Sequence, residues 1–455
     1  MATSNDKGDV AYQLKSFQKV EEPAQKTENK GRIMQTLRIV NQIIGILFTL
    51  CYLYQFFYIP IPWFAGKKKK PGISDMRRCY AVLICARNEE KVIADLINSL
   101  RLQTYPSDKI HVFVLADNCT DSTSSIARNA GAAVYERRDN RYFGKGYALE
   151  SLLGHIDRDY PDGFDGYFVF DADNVLKEDY IEQMDRVFSE GNDIVTSYRN
   201  SKNYADNWIS AGYALWFLRE SRYLNHARFL LKTSCAVSGT GFLFSRKVLE
   251  EIGGWPFHML TEDIEFSIHQ ITNGKKIAFC EDAELFDEQP VTFSQSWHQR
   301  MRWARGYLQV FEGYGLSLVR GALKGSFSCF DMSMTIMPAF ILSTISIFGD
   351  LALGIWGASI GDNVMIAVHS IGSLLSSMYL MLFSLGAVTT VTEWQHIQTS
   401  TTKKILYTFT FPLFMFTYIP ISIAALFVNP GWKPIHHSVS FSVPTARINI
   451  HESQN

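Results

Sequence analysis

At 455 residues the chain has room for more than one average domain and a sizeable core. Its 45 acidic and 44 basic residues leave a formal net charge of −1, which excludes a global field that recruits nucleic acid, so no nucleic-acid partner is expected. Seven cysteines without a CxxC pair read as buried, reduced thiols, as suits a cytosolic catalytic portion.

Residues 1–34 are polar and predict a disordered tail. Residues 37–59 are apolar from Leu37 to Tyr58 and lead into Pro60, Pro62 and Trp63. That predicts a transmembrane helix near the ~20 residues a bilayer needs, with an aromatic belt at its exit. It lies too far from the start, and lacks a small-residue cleavage site, to be a signal peptide. Lys67 to Lys70, with Arg77 and Arg78 close behind, mark the cytoplasmic side.

Residues 75–300 alternate strand and helix patterns, the signature of a mainly parallel α/β sheet. Residues 79–86 form a buried strand, and the helix after it carries Val92, Ile93, Leu96, Ile97 and Leu100 on one face, with Glu89 and Glu90 in its first turn. Residues 110–116 predict a second strand ending at Asp117, residues 132–136 a third, and residues 167–170 another ending at Asp171. Ligands of open α/β sheets bind beyond such strand ends. The formal sequon at Asn118 lies at that edge and reads as unglycosylated.

Residues 294–330 mix aromatic and basic side chains, suiting helices in the membrane interface. Apolar stretches at 333–356, 364–390 and 405–428 predict three further spans. The loop at 357–363 lacks Lys and Arg, whereas Lys403 and Lys404 mark 391–404 as cytoplasmic. The expected protein is therefore multi-pass in the cell membrane with a cytoplasmic catalytic domain. Counting spans puts the 429–455 tail outside, although Trp432 and the paired histidines ending at His437 suit a cytoplasmic role.

Asp171 and Asp173, two apart after a strand, can turn toward one ligand and hold Mg²⁺ or Mn²⁺, which neutralises a diphosphate. The bland alternative is a solvated turn. Asp117 can accept from a uracil imide or ribose hydroxyls, and Ala86, Asn88 and Glu89 end the first strand beside the same nucleotide. Lys145, between Gly144 and Gly146, suits a phosphate, but no complete P-loop surrounds it. Thr261, Glu262 and Asp263 open a helix, where Thr can cap and the acids complement the dipole; alternatively Asp263 is a general base. Gln299, Arg302 and Trp303 share neighbouring helix faces, Arg suiting a diphosphate and Trp a sugar ring.

Asp117, Asp171-x-Asp173, Thr261-Glu262-Asp263 and Gln299-x-x-Arg302-Trp303 together resemble the D, DxD, TED and QxxRW set of membrane-bound family 2 glycosyltransferases. That family includes cellulose, chitin, hyaluronan and poly-N-acetylglucosamine synthases. The resemblance covers about residues 80–312 and implies an α/β GT-A fold with flanking transmembrane helices, a UDP-sugar donor (GlcNAc or glucose) and inverting transfer to a growing glycan. It assigns Asp117 to the nucleotide, Asp173 to the metal, Asp263 to the base and Trp303 to the acceptor. Gly239, Thr240 and Gly241 look like the family's small-residue loop near the acceptor.

Four predicted spans are fewer than in cellulose synthase, which leaves room for an accessory membrane or export subunit. A second reading has a lipid acceptor, ceramide or diacylglycerol, because ceramide glucosyltransferases carry a similar (Q/R)xxRW set. A third, a transporter or scaffold, is disfavoured: Asp350 and His369 are nearly the only ionisable groups in the predicted spans.

Overall fold

The computed structural model describes residues 50–64, 77–336 and 365–428, with isolated positions elsewhere, His437 among them. Two compact units divide the chain: Met1–Tyr54 with Pro338–Leu380, and Gln55–Met337 with Met381–Asn455. The second carries the sheet.

Eight strands form that sheet: β1 (Tyr80–Ala86), β2 (Ile110–Asp117), β3 (Ala133–Arg137), β4 (Gly166–Asp171), β5 (Val175–Leu176), β6 (Ile194–Ser201), β7 (Phe242–Ser245) and β8 (Ala278–Asp287). Their order is β3-β2-β1-β4-β7-β6-β8-β5. β1, β2, β3 and β4 run parallel, β7 runs against both β4 and β6, and β8 runs parallel to β6. β1 is buried on both faces, which is why it reads as an unbroken apolar run rather than an alternating one. Helices α1 (Ile93–Arg101), α2 (Thr123–Asn129), α3 (Lys145–Asp159) and α4 (Tyr180–Ser189) connect the early strands. Two apolar cores result, one through Leu83, Phe113, Leu152 and Phe244, the other through Val82, Ile97, Phe168 and Met184.

This topology gathers the chemistry at one sheet edge. The carboxyl ends of β1, β2, β4, β6 and β8 lie together, and antiparallel β7 begins there, so the loop before it meets Asp171. The helix predicted to hold Glu89 in its first turn starts later, at Ile93. Asn88 takes a left-handed φ of 60°, and the Glu89 N–H donates to Thr123 Oγ1 at 2.8 Å, so both residues belong to a turn facing the edge.

After β6 come α5 (Trp208–Arg219), a π-helical turn Glu220–Asn225 and α6 (His226–Leu230). Then follow α7 (Arg246–Ile252), α8 (Glu262–Thr272), the 31-residue α9 (Phe293–Leu323) and α10 (Phe327–Ile336). α9 buries Arg300, Met301, Gly306, Val310 and Leu318 in one stripe, while Leu316, Val319 and Leu323 face outward.

The predicted span 333–356 lies almost wholly outside the described residues. The other two correspond to α11 (Met365–Thr392) and to the pair α12 (Thr401–Phe416) and α13 (Tyr418–Phe427). Among the described residues two segments are long and apolar enough to cross a membrane, Leu375–Thr392 and Thr401–Phe427. The second breaks at Thr417 and contains Pro412. Its Phe414 packs with Ile209, Tyr213 and Phe217 of α5.

Candidate active site

Asp171 is held from three directions. Its backbone N–H donates to Thr240 Oγ1 at 2.9 Å and to Asn174 Oδ1 at 3.2 Å, and its carboxylate accepts from the Lys145 ammonium. Lys145 also donates to the Gly239 carbonyl at 2.7 Å, tying α3 to the small-residue loop. Burial alone would raise the Asp171 carboxyl, but the Lys145 charge and hydrogen bond, with the charges of Arg199 and His437, together hold the group below the usual aspartate range. Asp173 is buried and accepts the Glu288 N–H at 2.7 Å. Glu288 follows directly from β8, so this bond joins the far side of the sheet to the Asp-x-Asp turn.

At the end of β2, Asp117 accepts from Arg137 Nη1 at 2.7 Å and from the Asn118 amide at 3.0 Å. Asn118, at φ 54°, spends that same amide on the Asp139 carbonyl as well, which suits its role at a strand end rather than as a glycan carrier. Ala86 is buried, and its carbonyl accepts from the Cys119 thiol at 3.4 Å. Glu89 pairs with His437 Nδ1 at 3.0 Å, and burial pushes the Glu89 carboxyl up. His437 thus lies at the same edge as Glu89.

Asp263 opens α8. Burial raises its carboxyl, and the backbone N–H groups of Ile264 and Gly239 offset part of that. Gly239, at φ +80°, is where the two acidic segments converge. A Cβ there would stand 3.9 Å from both Asp171 Oδ2 and Arg199 Nη1, and 4.0 Å from Asp263 Oδ2. A bare glycine thus leaves a wedge between the Asp171 and Asp263 carboxylates that a Cβ would begin to fill.

Thr261 precedes α8 but makes no side-chain cap. Its hydroxyl is buried without a partner among the described residues, because α9 crosses at Gly306, whose hypothetical Cβ would lie 2.5 Å from Thr261. Glu262 is buried, and burial, then the Asp263 charge, push its carboxyl up to about 7. A folded-state value above the unfolded one makes the charged form costly: the penalty is absent below about pH 4.5 and complete above about pH 7. Glu262→Gln is therefore expected to melt a few degrees above wild type at pH 8 and level with it at pH 4, as thermal scans would read; a gap independent of pH contradicts the burial cause.

Arg302 is the arginine of the Gln299-x-x-Arg302-Trp303 pattern, and Arg300 fills one of its open positions. Arg302 Nη1 donates to the Leu260 carbonyl at 3.3 Å and faces the acids of α8. Arg300 is fully buried, stacks on Phe414 at 4.4 Å, and donates to the Phe414 carbonyl at 3.1 Å and Thr417 Oγ1 at 2.6 Å. It closes the end of α12. The Gln299 Oε1 atom is buried and has no partner among the described residues. Trp303 is half-buried, edge-on to Tyr213 at 5.8 Å and to Phe217 at 6.1 Å. Trp303→Ala is expected to cost about 3 kcal/mol in urea unfolding through this lost packing. An unchanged midpoint would leave the indole with a ligand-facing role alone.

Sequence reasoning missed Arg199, which spans Asp287 at 2.7 Å and the Ser238 carbonyl at 2.8 Å and lies 3.6 Å over the Phe217 ring. A basic residue inside a buried strand was the available signal.

Residues 77–306, half of the chain, match the sequence profile described as "Glycosyltransferase like family 2". The chain is 27% identical over 270 residues to a probable glycosyltransferase, YdaM, of Bacillus subtilis, covering 56% of this chain and 59% of that one. It is 24% identical over 322 residues to the beta-monoglucosyldiacylglycerol synthase of Synechocystis sp., covering 70% and 65%. To the cellulose synthase catalytic subunit [UDP-forming] of Pseudomonas fluorescens it is 26% identical over 320 residues, covering 65% and 40%. The matches thus span about 40–65% of these relatives' own length. The mannosyltransferase PcManGT from Pyrobaculum calidifontis, in complex with GDP-Man and Mn²⁺, shares the fold at a TM-score of 0.53 and 16% identity, covering 85% of this chain and 99% of that one.

Proposed function

Because the chain belongs to glycosyltransferase family 2, with a GT-A fold and hexosyl transfer as its chemistry, we propose that it moves a sugar from a UDP donor to a growing, membrane-associated glycan with inversion. The observation that carries this reading is the Gly239 wedge, flanked by Asp171 on one side and Asp263 on the other.

In this reading the β1 and β2 ends, Ala86, Asn88, Glu89 and Asp117, receive the nucleotide. Asp263 takes the proton of an acceptor hydroxyl as its oxygen forms the new bond to the anomeric carbon and the bond to the diphosphate breaks. Lys145 and Arg302 place positive charge beside the departing diphosphate, and Trp303 with Gln299 lines the acceptor side. Glu262, Gly239, Thr240 and Gly241 shape the floor.

The donor set fits a divalent metal. Glu89, Asp171, Asp173, Glu262, Asp263 and Glu288 already crowd this edge with acid, and a diphosphate adds more. Asp173, with Asp171 beside it, would hold Mg²⁺ or Mn²⁺, whose charge offsets that excess. Oxygens of a bound diphosphate would supply further ligands to such an ion.

Membrane association is supported by Leu375–Thr392 and Thr401–Phe427. We place the catalytic domain in the cytoplasm, where Lys67 to Lys70 would hold it. The middle of the 405–428 stretch sits beside Arg300, two residues before Arg302, so we read α12 and α13 as packed on the catalytic domain rather than crossing. That leaves the His437 segment on the catalytic side. Export of a polymer would then fall to an accessory subunit.

The diacylglycerol relative supports a second reading, a single sugar placed on a lipid. Incubating membranes with radiolabelled UDP-glucose or UDP-GlcNAc separates them: a ladder of products is expected, and one chloroform-soluble glycolipid would favour the alternative.

A further inference from the structure

Successive side chains of β6 point to opposite faces of the sheet. On one face the Tyr198 hydroxyl donates to Glu393 Oε2, and the Asn200 amide donates to Glu284 Oε1 at 2.8 Å and to the His396 carbonyl at 3.0 Å. These bonds pin the strand from behind. Arg199, between them, points to the other face, where Leu285 stands opposite and Asp287 lies two residues further along β8. The pairing with β8 jumps from Cys280 at Ser197 to Glu284 at Tyr198. Such an irregularity, here directly before Arg199, re-aims a side chain beside a site. The Arg199 N–H is held as well, donating to Ser221 Oγ of the π-helical turn at 3.1 Å.

One guanidinium thereby joins two segments of the site. Its Nε donates to Asp287 Oδ2 at 2.7 Å, with Nη2 on the same oxygen, while Nη1 donates to the Ser238 carbonyl at 2.8 Å. Each end leads on to an aspartate of the Asp-x-Asp turn. Asp287 is followed by Glu288, whose N–H donates to Asp173 Oδ2 at 2.7 Å. The Ser238 carbonyl also accepts the Thr240 N–H at 3.0 Å, and Thr240 Oγ1 accepts the Asp171 N–H at 2.9 Å. Gly239, the residue of the wedge, lies between Ser238 and Thr240, with its own carbonyl on Lys145. The central carbon of the guanidinium is 3.6 Å from the centroid of the Phe217 ring, which holds the fork in a fixed plane.

We propose that Arg199 is a positioning residue for glycosyl transfer: through Ser238 and Asp287 it sets the Gly239 loop against the end of β8, so that Asp171 and Asp263 keep their separation across the wedge. The inference rests on the glycosyl-transfer reading above and adds to it a residue that acts on the reacting groups only through other residues. A buried ion pair is weak evidence for stability, because desolvating both charges offsets much of their attraction. What the planar fork supplies here is geometry. It meets a carboxylate and a carbonyl in one rigid arrangement, which the ammonium of a lysine, a point charge on a flexible stem, does not fix. A shift of about 1 Å in a catalytic segment is enough to lower a rate about 100-fold.

The test uses the full chain purified in detergent, with UDP-glucose or UDP-GlcNAc as donor and cellotetraose or chitotetraose as acceptor. Transfer kcat, acceptor KM, UDP affinity by isothermal titration and melting temperature are read on the same preparations. Arg199→Met, which keeps the stem over Phe217 and removes the fork, is expected to lower kcat by about 10–100-fold. UDP affinity and acceptor KM should stay within a few-fold, and Arg199→Lys should retain more turnover than Arg199→Met. Arg199→Met also leaves the buried Asp287 without its cation and should melt below wild type. Adding Asp287→Leu removes that charge, so the double variant is expected to regain melting temperature while kcat stays low. Recovery of kcat together with melting temperature in the double variant overturns the proposal, as does an unchanged kcat in Arg199→Met. A loss confined to UDP affinity or acceptor KM overturns it too, because it would place the guanidinium on a ligand. Absence of any UDP release by wild type with either donor would sink the parent reading, and this one with it.

Discussion

Asp263→Asn is expected to cut sugar transfer by about 10²–10⁴-fold while UDP-sugar binding stays within a few-fold. Asn keeps the size and shape of the side chain. What it loses is basicity. Asp263 lies on α8, apart from the β1, β2 and β4 ends assigned to the nucleotide, so binding and transfer should separate. Turnover near that of wild type would reduce the acids at 262–263 to a helix start.

Chelation should be nearly as severe. With EDTA, transfer is expected to fall to background and to return on adding Mn²⁺ or Mg²⁺. Asp173→Asn should weaken UDP binding as well as turnover, because the amide can still accept the Glu288 N–H but no longer offsets a cation. Isothermal titration of UDP with and without Mn²⁺ checks both arms. Full activity in EDTA would leave side-chain cations such as Lys145 and Arg302 to counter the diphosphate and remove the metal from the account.

Much of this site was readable before any coordinates. Asp117 and Asp171 follow apolar runs whose length and composition mark buried parallel strands, and such strands end at a ligand-binding edge. Three features were not readable, the first two for a long-range reason. Thr261 looks like a helix cap, yet Gly306, 45 positions later, covers its hydroxyl. Arg300 fills an open position of the Gln299-x-x-Arg302-Trp303 pattern, and only the position of Phe414 and Thr417 shows what it holds. The π turn at Glu220 leaves no periodic trace at all, since one added residue is lost within a helical pattern.

The most direct test of the central claim is nucleotide release by the purified full-length protein, wild type against Asp263→Asn, with UDP-glucose, UDP-GlcNAc and GDP-mannose offered separately beside a glycan acceptor. UDP release from one UDP-sugar, dependent on Mn²⁺ or Mg²⁺ and lost in the variant, is the expected result. Release from GDP-mannose alone, or equal release by wild type and variant, would contradict it.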